Sequence, residues 1–266
     1  MSKLIHAELT YRVRGVLMAV HYELKPMLPE EFYQDAVEIG FQEAPISFEP
    51  QKNFEVFYEG ERIGLYIPDF CIDGLKAILD LKVTPVITPL HKAQAISYLK
   101  VTDADLALIA NLGAPSLEVE RLPNFLRERQ PEFVWEPRAL ATNLLYPDLS
   151  AALYEALHRV HFTLGPGFLH QVYRRATMVE LRRQDISYHY HKHISVEFHG
   201  HYLGQDECRL IVVEDRIAVA AFALKSTTEA HQQRLKRHLH TLGLQLGLLA
   251  NFHGTRMHIQ PVRIAL

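Results

Sequence analysis

The chain has 266 residues, 48% of them hydrophobic and 22% charged, and a formal net charge of -3. This is globular composition and excludes a disordered or fibrous chain, while two cysteines exclude a disulfide framework or a Cys-rich zinc site. No uncharged apolar run approaches the ~18 residues of a membrane span, the longest being Ile217–Leu224, and Lys3, Glu8, Arg12 and Arg14 interrupt any secretory leader, so a cytoplasmic protein without membrane contact is expected.

Val13, Val16, Leu17, Val20 and Leu24 recur at helical spacing and predict a first helix, which Pro26 and Pro29 end. Pro29 can start a second helix running to about Glu43. Asn53–Tyr58, Glu61–Ile67, Phe70–Ile72 and Ala77–Val83 read as strands, with turns at Glu59-Gly60 and Asp73-Gly74. A helix over Pro89–Lys100 follows, then an apolar strand Leu106–Asn111 and a last strand Leu117–Leu122. This order makes a mixed sheet with helices on its faces, an α/β unit.

The pattern then returns. Sliding the sequence by 140 residues brings Val20-His21 onto Val160-His161, Leu24 onto Leu164, Tyr33 onto Tyr173, Gly60 and Gly64 onto Gly200 and Gly204, and Ala110-Asn111 onto Ala250-Asn251. Matches held at one offset over such a length mark a tandem duplication. The expected layout is a unit over 1–122, a linker over 123–147 and a second unit over 148–266, the two packing as a pseudo-dimer. Pro123, Pro131, Pro137 and Pro147 break regular structure in the linker, and its Phe125, Phe133, Trp135 and Tyr146 are expected to pack on the domains. A three-residue insertion after Gly204, cancelled before His231, adjusts the second unit. Charge is split unevenly: residues 1–147 hold 14 Lys/Arg against 21 Asp/Glu, and residues 148–266 hold 14 against 10 with 13 of the 16 histidines. The second half is the better suited to meet a polyanion.

The hairpin around Asp73-Gly74 carries the most chemistry. Side chains alternate across a strand, so Asp80 and Lys82 share one face while Leu79, Leu81 and Val83 share the other. With a two-residue turn, Ile72 pairs with Leu75 and Asp69 with Ile78, which sets Asp69 diagonal to Asp80 on the same face. Glu30 and Tyr33 are neighbours on one face of the second helix, and Gln94 and Tyr98 on one face of the third. The plain alternatives are an exposed strand face with a weak salt bridge for Asp69, Asp80 and Lys82, a helix N-terminal charge for Glu30, and a surface pair for Gln94 and Tyr98. Tyr33, Tyr173 and the paired histidines His21/His161 and His91/His231 recur in both units and read as structural.

Pro68-Asp69, Asp80 eleven residues on, and Leu81-Lys82 resemble the PD-(D/E)xK nuclease superfamily, and Gln94 and Tyr98 resemble the QxxxY helix of its RecB-like members. More closely, each repeat resembles the small GxxExxY proteins: repeat 2 has Gly165-Pro166-Gly167, His170 and Tyr173 at that motif, and repeat 1 has Met27, Glu30 and Tyr33. The resemblance implies two tandem restriction-endonuclease-like units, each a mixed sheet flanked by helices. It implies phosphodiester hydrolysis of nucleic acid, DNA or RNA, with Mg²⁺ or Mn²⁺ held by Asp69 and Asp80. Glu30 would be a further ligand or hold a metal-bound water, and Lys82 would position the attacking water or stabilise charge on phosphorus. Gln94 and Tyr98 would orient substrate or Lys82.

Repeat 2 departs from the pattern. Aligned by strand, Asp69 becomes Arg209, Asp80 becomes Ala223, Glu30 becomes His170, Gln94 becomes Arg234 and Tyr98 becomes His238, with Lys225 opposite Lys82. The expectation is a catalytically dead half that supports the fold or binds nucleic acid. His189, His191 and His193 alternate on one strand face and span more than ~13 Å, too far to share one zinc without a bend. The alternative to an enzyme is a non-catalytic nucleic-acid- or protein-binding module on the same fold.

Overall fold

A computed structural model describes residues 4–127, 132–135 and 145–265. They form two compact units: residues 4–56 with 65–127, and residues 57–64 with 132–135 and 145–265. The elements of the first repeat are α1 (Ala7–Leu24), α2 (Glu30–Glu43), β1 (Phe48–Pro50), β2 (Phe54–Tyr58), β3 (Glu61–Tyr66), β4 (Phe70–Ile72), β5 (Ala77–Lys82), α3 (Pro89–Thr102), β6 (Leu106–Asn111) and β7 (Glu118–Pro123). Five of the strands make a sheet in the order β1-β4-β5-β6-β7. β5 and β6 are parallel, which requires a crossover, and α3 is that crossover. The other pairings are antiparallel.

The core follows from the spacing of the apolar residues. Val13, Leu17 and Val20 of α1 and Tyr33, Val37 and Phe41 of α2 pack on the sheet face made by Phe70, Leu79, Leu81, Leu106 and Leu108. All six residues of β6 are buried, as a strand flanked on both sides and covered on both faces must be. Both motif tyrosines are fully buried and tie down the connection between the first two helices of their repeat. Tyr33 donates to the Lys25 carbonyl at 2.5 Å, and Tyr173 to the Gly165 carbonyl at 2.7 Å. His21 and His161 repeat one contact, each with Nε2 2.9 Å from a carbonyl, Ala114 and Gly254 respectively. His91 and His231 close the capping boxes of their helices. The recurrent residues are structural.

One strand of the first repeat was not expected, and one expectation is corrected. The short edge strand β1 has no alternating pattern long enough to read, so nothing in the sequence announces it. The Asp73-Gly74 turn is longer than two residues: Ile72 pairs with Ala77, leaving a four-residue loop, Asp73 to Lys76, in which Asp73, Gly74 and Leu75 all take positive φ. The loop tip is fastened by Lys76 Nζ, 2.7 Å from Asp73.

The second repeat contains α4 (Pro147–Leu164), α5 (His170–Arg183), β8 (Tyr188–Phe198), β9 (His201–Val213), β10 (Ile217–Phe222), α6 (Glu229–Leu242), β11 (Leu246–Asn251) and β12 (His258–Arg263). Its sheet runs β12-β11-β10-β9-β8, again with one parallel pair, β10 and β11. Long β8 and β9 correspond to β1 with β2 and to β3 with β4. The insertion expected after Gly204 is corrected here. Lys82 pairs with Asn111 and Phe222 with Asn251, so the offset is still 140 at the end of β5 and there is no three-residue insertion. Instead a β-bulge lets Lys192 face both Cys208 and Arg209, with Arg209 at φ 51°, and the next turn is one residue shorter, Val213 pairing with Ile217. A gain and a loss of one residue cancel.

Of the linker aromatics, Phe133 lies 5.5 Å from the Phe162 ring and Trp135 5.0 Å from the His158 ring, both on α4. Phe125, in a single 3₁₀ turn (Phe125–Arg127), stays exposed. Pro131 and Pro137 lie outside the described residues. Among the described residues no helix is long and apolar enough to cross a membrane.

Candidate active site

The longer turn moves Asp69 by two ladder positions, which preserves its face. Phe70 pairs with Leu79, and one step further along Asp69 comes opposite Asp80 rather than diagonal to it. The alternation that sends Leu79 and Leu81 into the core sends Asp80 and Lys82 to the other face. Asp69 Oδ2 accepts the backbone N–H of Leu81 at 2.6 Å, and this bond fixes the carboxylate beside β5. Asp80 is only 8% exposed. Its Oδ2 lies 2.5 Å from Lys82 Nζ, a charge contact without hydrogen-bond alignment, and the atom is buried with no hydrogen-bond partner among the described residues.

A buried and a part-buried carboxylate share the Lys82 ammonium, and the electrostatics record the shortfall. Burial, and then the neighbouring Asp80 charge, push the Asp69 carboxyl up to about 6; the Leu81 N–H and Lys82 oppose this. Glu30 stands at the first position of α2 and is also held above the ordinary glutamate range. Desolvation is its main cause, Lys82 opposes it, and Asp80 and Glu31 add to it. Glu30 therefore feels the charges of Lys82 and Asp80.

Tyr66 was missed by sequence reasoning. It ends β3 three residues before Asp69, and its ring stacks on Tyr98 of α3 with centroids 3.9 Å apart. Its hydroxyl is buried without a hydrogen-bond partner among the described residues. Burial first, then Asp80, Tyr98 and Asp69, hold it far above the ordinary tyrosine range, so the phenol keeps its proton. An alternating strand that ends in tyrosine offers no signal that the hydroxyl faces a carboxylate. The stack also brings Tyr98 to the cluster, and partly buried Gln94 lies one turn earlier on the same helix.

The donor set is hard and anionic, with a buried Asp80 oxygen that only the Lys82 ammonium approaches and with the Asp69 and Glu30 carboxyls above their ordinary range. That is the chemistry of a site for a hard divalent cation such as Mg²⁺, which binds through one or two carboxylates and keeps its waters. Among the described residues no group of three His, Cys, Asp or Glu is disposed to hold a metal. The chain's offer is therefore the Asp69–Asp80 pair, with Glu30 in electrostatic reach.

The sequence profile of the PD-(D/E)XK nuclease superfamily matches residues 7–122 and again residues 147–264. The chain belongs to this superfamily. It does so twice, and its fold is two nuclease-like units in tandem. No curated protein matches the chain, and no solved structure does.

The sheet register identifies what the second nuclease-like unit carries at the same places. Ala220 stands at the position of Asp80 and Phe222 at that of Lys82, correcting the expected Ala223 and Lys225, which lie beyond β10. Ile211 pairs with Val219 as Phe70 pairs with Leu79, so Leu210 takes the place of Asp69, and Arg209 is the bulge residue beside it. His170, Arg234 and His238 occupy the positions of Glu30, Gln94 and Tyr98. His170 Nδ1 accepts the Ala223 N–H at 3.0 Å, and burial, Arg174 and Arg209 hold its pKa down, as suits an acceptor nitrogen. Leu210, Ala220 and Phe222 floor an apolar pocket of about 270 Å³ that Arg209 and Arg234 also line. The bulge between His191 and His193 breaks the strand there, yet no metal-binding group of histidines results among the described residues.

Proposed function

We propose that the protein is a metal-dependent phosphodiester hydrolase acting on nucleic acid through its first repeat, with Asp69, Asp80 and Lys82 as the working residues. The observation that carries this reading is buried Asp80 opposite part-buried Asp69, with Lys82 as the ammonium in ion-pair contact with Asp80. Asp69 and Asp80 would hold Mg²⁺ or Mn²⁺, which supplies Lewis-acid polarisation of a phosphoryl oxygen and lowers the pKa of a bound water. Lys82 neutralises charge developing on the phosphate, and in the metal-bound protein its ammonium is free to turn from Asp80 toward substrate. Glu30, with its raised pKa, is suited to accept the proton of the attacking water. Gln94 and Tyr98 orient substrate from α3. The second repeat has Leu210, Ala220 and Phe222 where these groups belong, so it supports or binds and does not cut. In subtype the repeats would be of the GxxExxY kind, which they resemble in Tyr33 and Tyr173 at the motif tyrosine.

The test is calorimetric titration of Mg²⁺ and Mn²⁺ into wild type and Asp80→Asn, without and with a short oligonucleotide, followed by cleavage assays on DNA and RNA. Binding by wild type, its loss in the variant, and metal-dependent cleavage are expected. Failure of wild type to bind metal even with oligonucleotide present sinks the enzyme reading. A non-catalytic binding module then takes its place, a reading favoured by the acidic balance of residues 1–147.

A further inference from the structure

The two repeats differ in what covers their first two helices. In the second unit the tip of the β2–β3 hairpin, residues 57–64, lies against α5. Tyr58 donates to Glu180 Oε2 at 2.8 Å in a fully buried pair, Arg182 binds Glu61, and the Arg175 guanidinium reaches the Ile63 carbonyl. Gly64 sits so close to Val172 that a Cβ would stand 2.6 Å from its methyl. Glu180 is held further by Arg159 of α4, which also pairs with Glu155.

The duplication supplies both halves of this contact a second time, and among the described residues each half is exposed within its own unit. Turn for turn, His199-Gly200 repeats Glu59-Gly60, with φ of 50° and 77° against 47° and 80°. Phe198 therefore stands at the place of Tyr58, Leu203 at Ile63 and Gly204 at Gly64. At this second tip Phe198 is 63%, Tyr202 61% and Leu203 66% exposed. On α1 and α2, the counterparts of α4 and α5, lies an open groove of about 630 Å³ lined by Gly15, Ala19, Ala36, Ile39 and Gly40. Ile39 is exposed there.

The substitutions between the two versions are coupled. Where the made contact has Glu155, Arg159, Glu180 and Tyr58, the bare surfaces have Gly15, Ala19, Gly40 and Phe198. These four are replaced together by small or apolar residues, on tip and groove alike, while Arg12, Glu23 and Glu43 stand among the residues that line the groove. Exchange of Glu180 for Gly40 is matched underneath by Ala156 for Val16, whose methyl fills the space a Cβ at position 40 would need. The acidic charge of the tip is lost as well. The acidic tip with Glu59 and Glu61 meets α5, which carries Arg174, Arg175, Arg182 and Arg183. The second tip has His199 and His201 at those positions, and α2 carries Glu30, Glu31, Asp35, Glu38 and Glu43 with no Lys or Arg. Independent drift of two surfaces does not keep them matched in polarity while removing like charge from the tip that would face acidic α2.

We propose that the Phe198–Leu203 hairpin tip of one molecule docks in the α1–α2 groove of a second copy of this chain. Tip and groove are different surfaces, so the contact is heterologous and links copies head to tail. Each copy repeats between molecules the contact its own residues 57–64 already make with α5.

Sedimentation velocity of the full chain over a concentration series tests this, with Phe198→Asp and Leu203→Asp on the tip and Gly15→Glu in the groove. Gly15 is an open helical position where a Cβ would meet nothing within 4 Å, so glutamate there leaves the fold intact and restores the residue of the other repeat. Wild type is expected to gain mass with concentration and each variant to stay monomeric. An equimolar mixture of Gly15→Glu and Phe198→Asp retains one good tip and one good groove, and should form a 1:1 complex that grows no further. A wild type that stays monomeric to its solubility limit overturns the proposal, whatever else covers the groove. So does association that survives the variants, or failure of the mixture to pair while wild type associates.

Discussion

Replacing Asp69 by Asn isolates the electrostatic cost of the candidate site. The amide keeps the size of the carboxylate and an oxygen that can accept the Leu81 N–H. It removes a carboxyl whose pKa is about 6 in the folded protein against an ordinary 3.8. Because the folded state binds this proton more tightly than the unfolded chain, the sign is opposite to that of a salt-bridged aspartate. The penalty is absent below the unfolded value and complete above the folded one, so stability is lost as pH rises from about 4 through about 6. At ~1.36 kcal/mol per tenfold change in proton affinity, the penalty at pH 7.5 is about 3 kcal/mol. Asp69→Asn should therefore be more stable than wild type by about that amount at pH 7.5, or ~6–12 °C in melting temperature for a chain of this size. At pH 4 the two should melt together. Thermal and urea unfolding of both proteins, in chelator at the two pH values, measure the difference. An Asn variant no more stable than wild type at pH 7.5, or a gap of equal size at pH 4, refutes the reasoning.

Tyr66→Phe deletes a buried hydroxyl that has no partner among the described residues, so the protein should keep or gain up to ~1 kcal/mol of stability; a loss on urea unfolding would falsify the orphaned hydroxyl. Met27 holds φ 94° where the second repeat has Gly167 at 119°, and Met27→Gly should raise the melting temperature through a gain of ~1 kcal/mol from released backbone strain. Tyr58→Phe strips one donor from fully buried Glu180, leaving Arg159, Arg183 and Gln184, and a loss of ~1 kcal/mol is expected in urea. An unchanged midpoint there would mean that the buried hydrogen bond contributes nothing.

Much of the site was legible because strand alternation is insensitive to even shifts. The loop after β4 is two residues longer than the Asp73-Gly74 pair suggests, and Asp69 stays on the face of Asp80 because the ladder moves by two. The motif tyrosines and recurrent histidines were readable as structural because they persist in the half that lacks the carboxylates. The second repeat was misread where it mattered, since a bulge and a shortened turn cancel in the sequence and no local pattern marks either one. Tyr66 was invisible for a related reason: its role depends on a ring stack with α3, thirty-two residues away in the chain.

The sequence alone determined the duplication, the helices and the longer strands, and the face that Asp80 and Lys82 share. These are periodic properties, and period is written locally. Tertiary structure decided the register of the two sheets, hence that Leu210, Ala220 and Phe222 replace the acidic cluster in the second repeat. It also decided the burial that raises the Asp69 pKa and the placing of residues 57–64 on α5. Those depend on which backbone bonds pair across the chain and how much water they exclude, and residue spacing along a single strand carries neither.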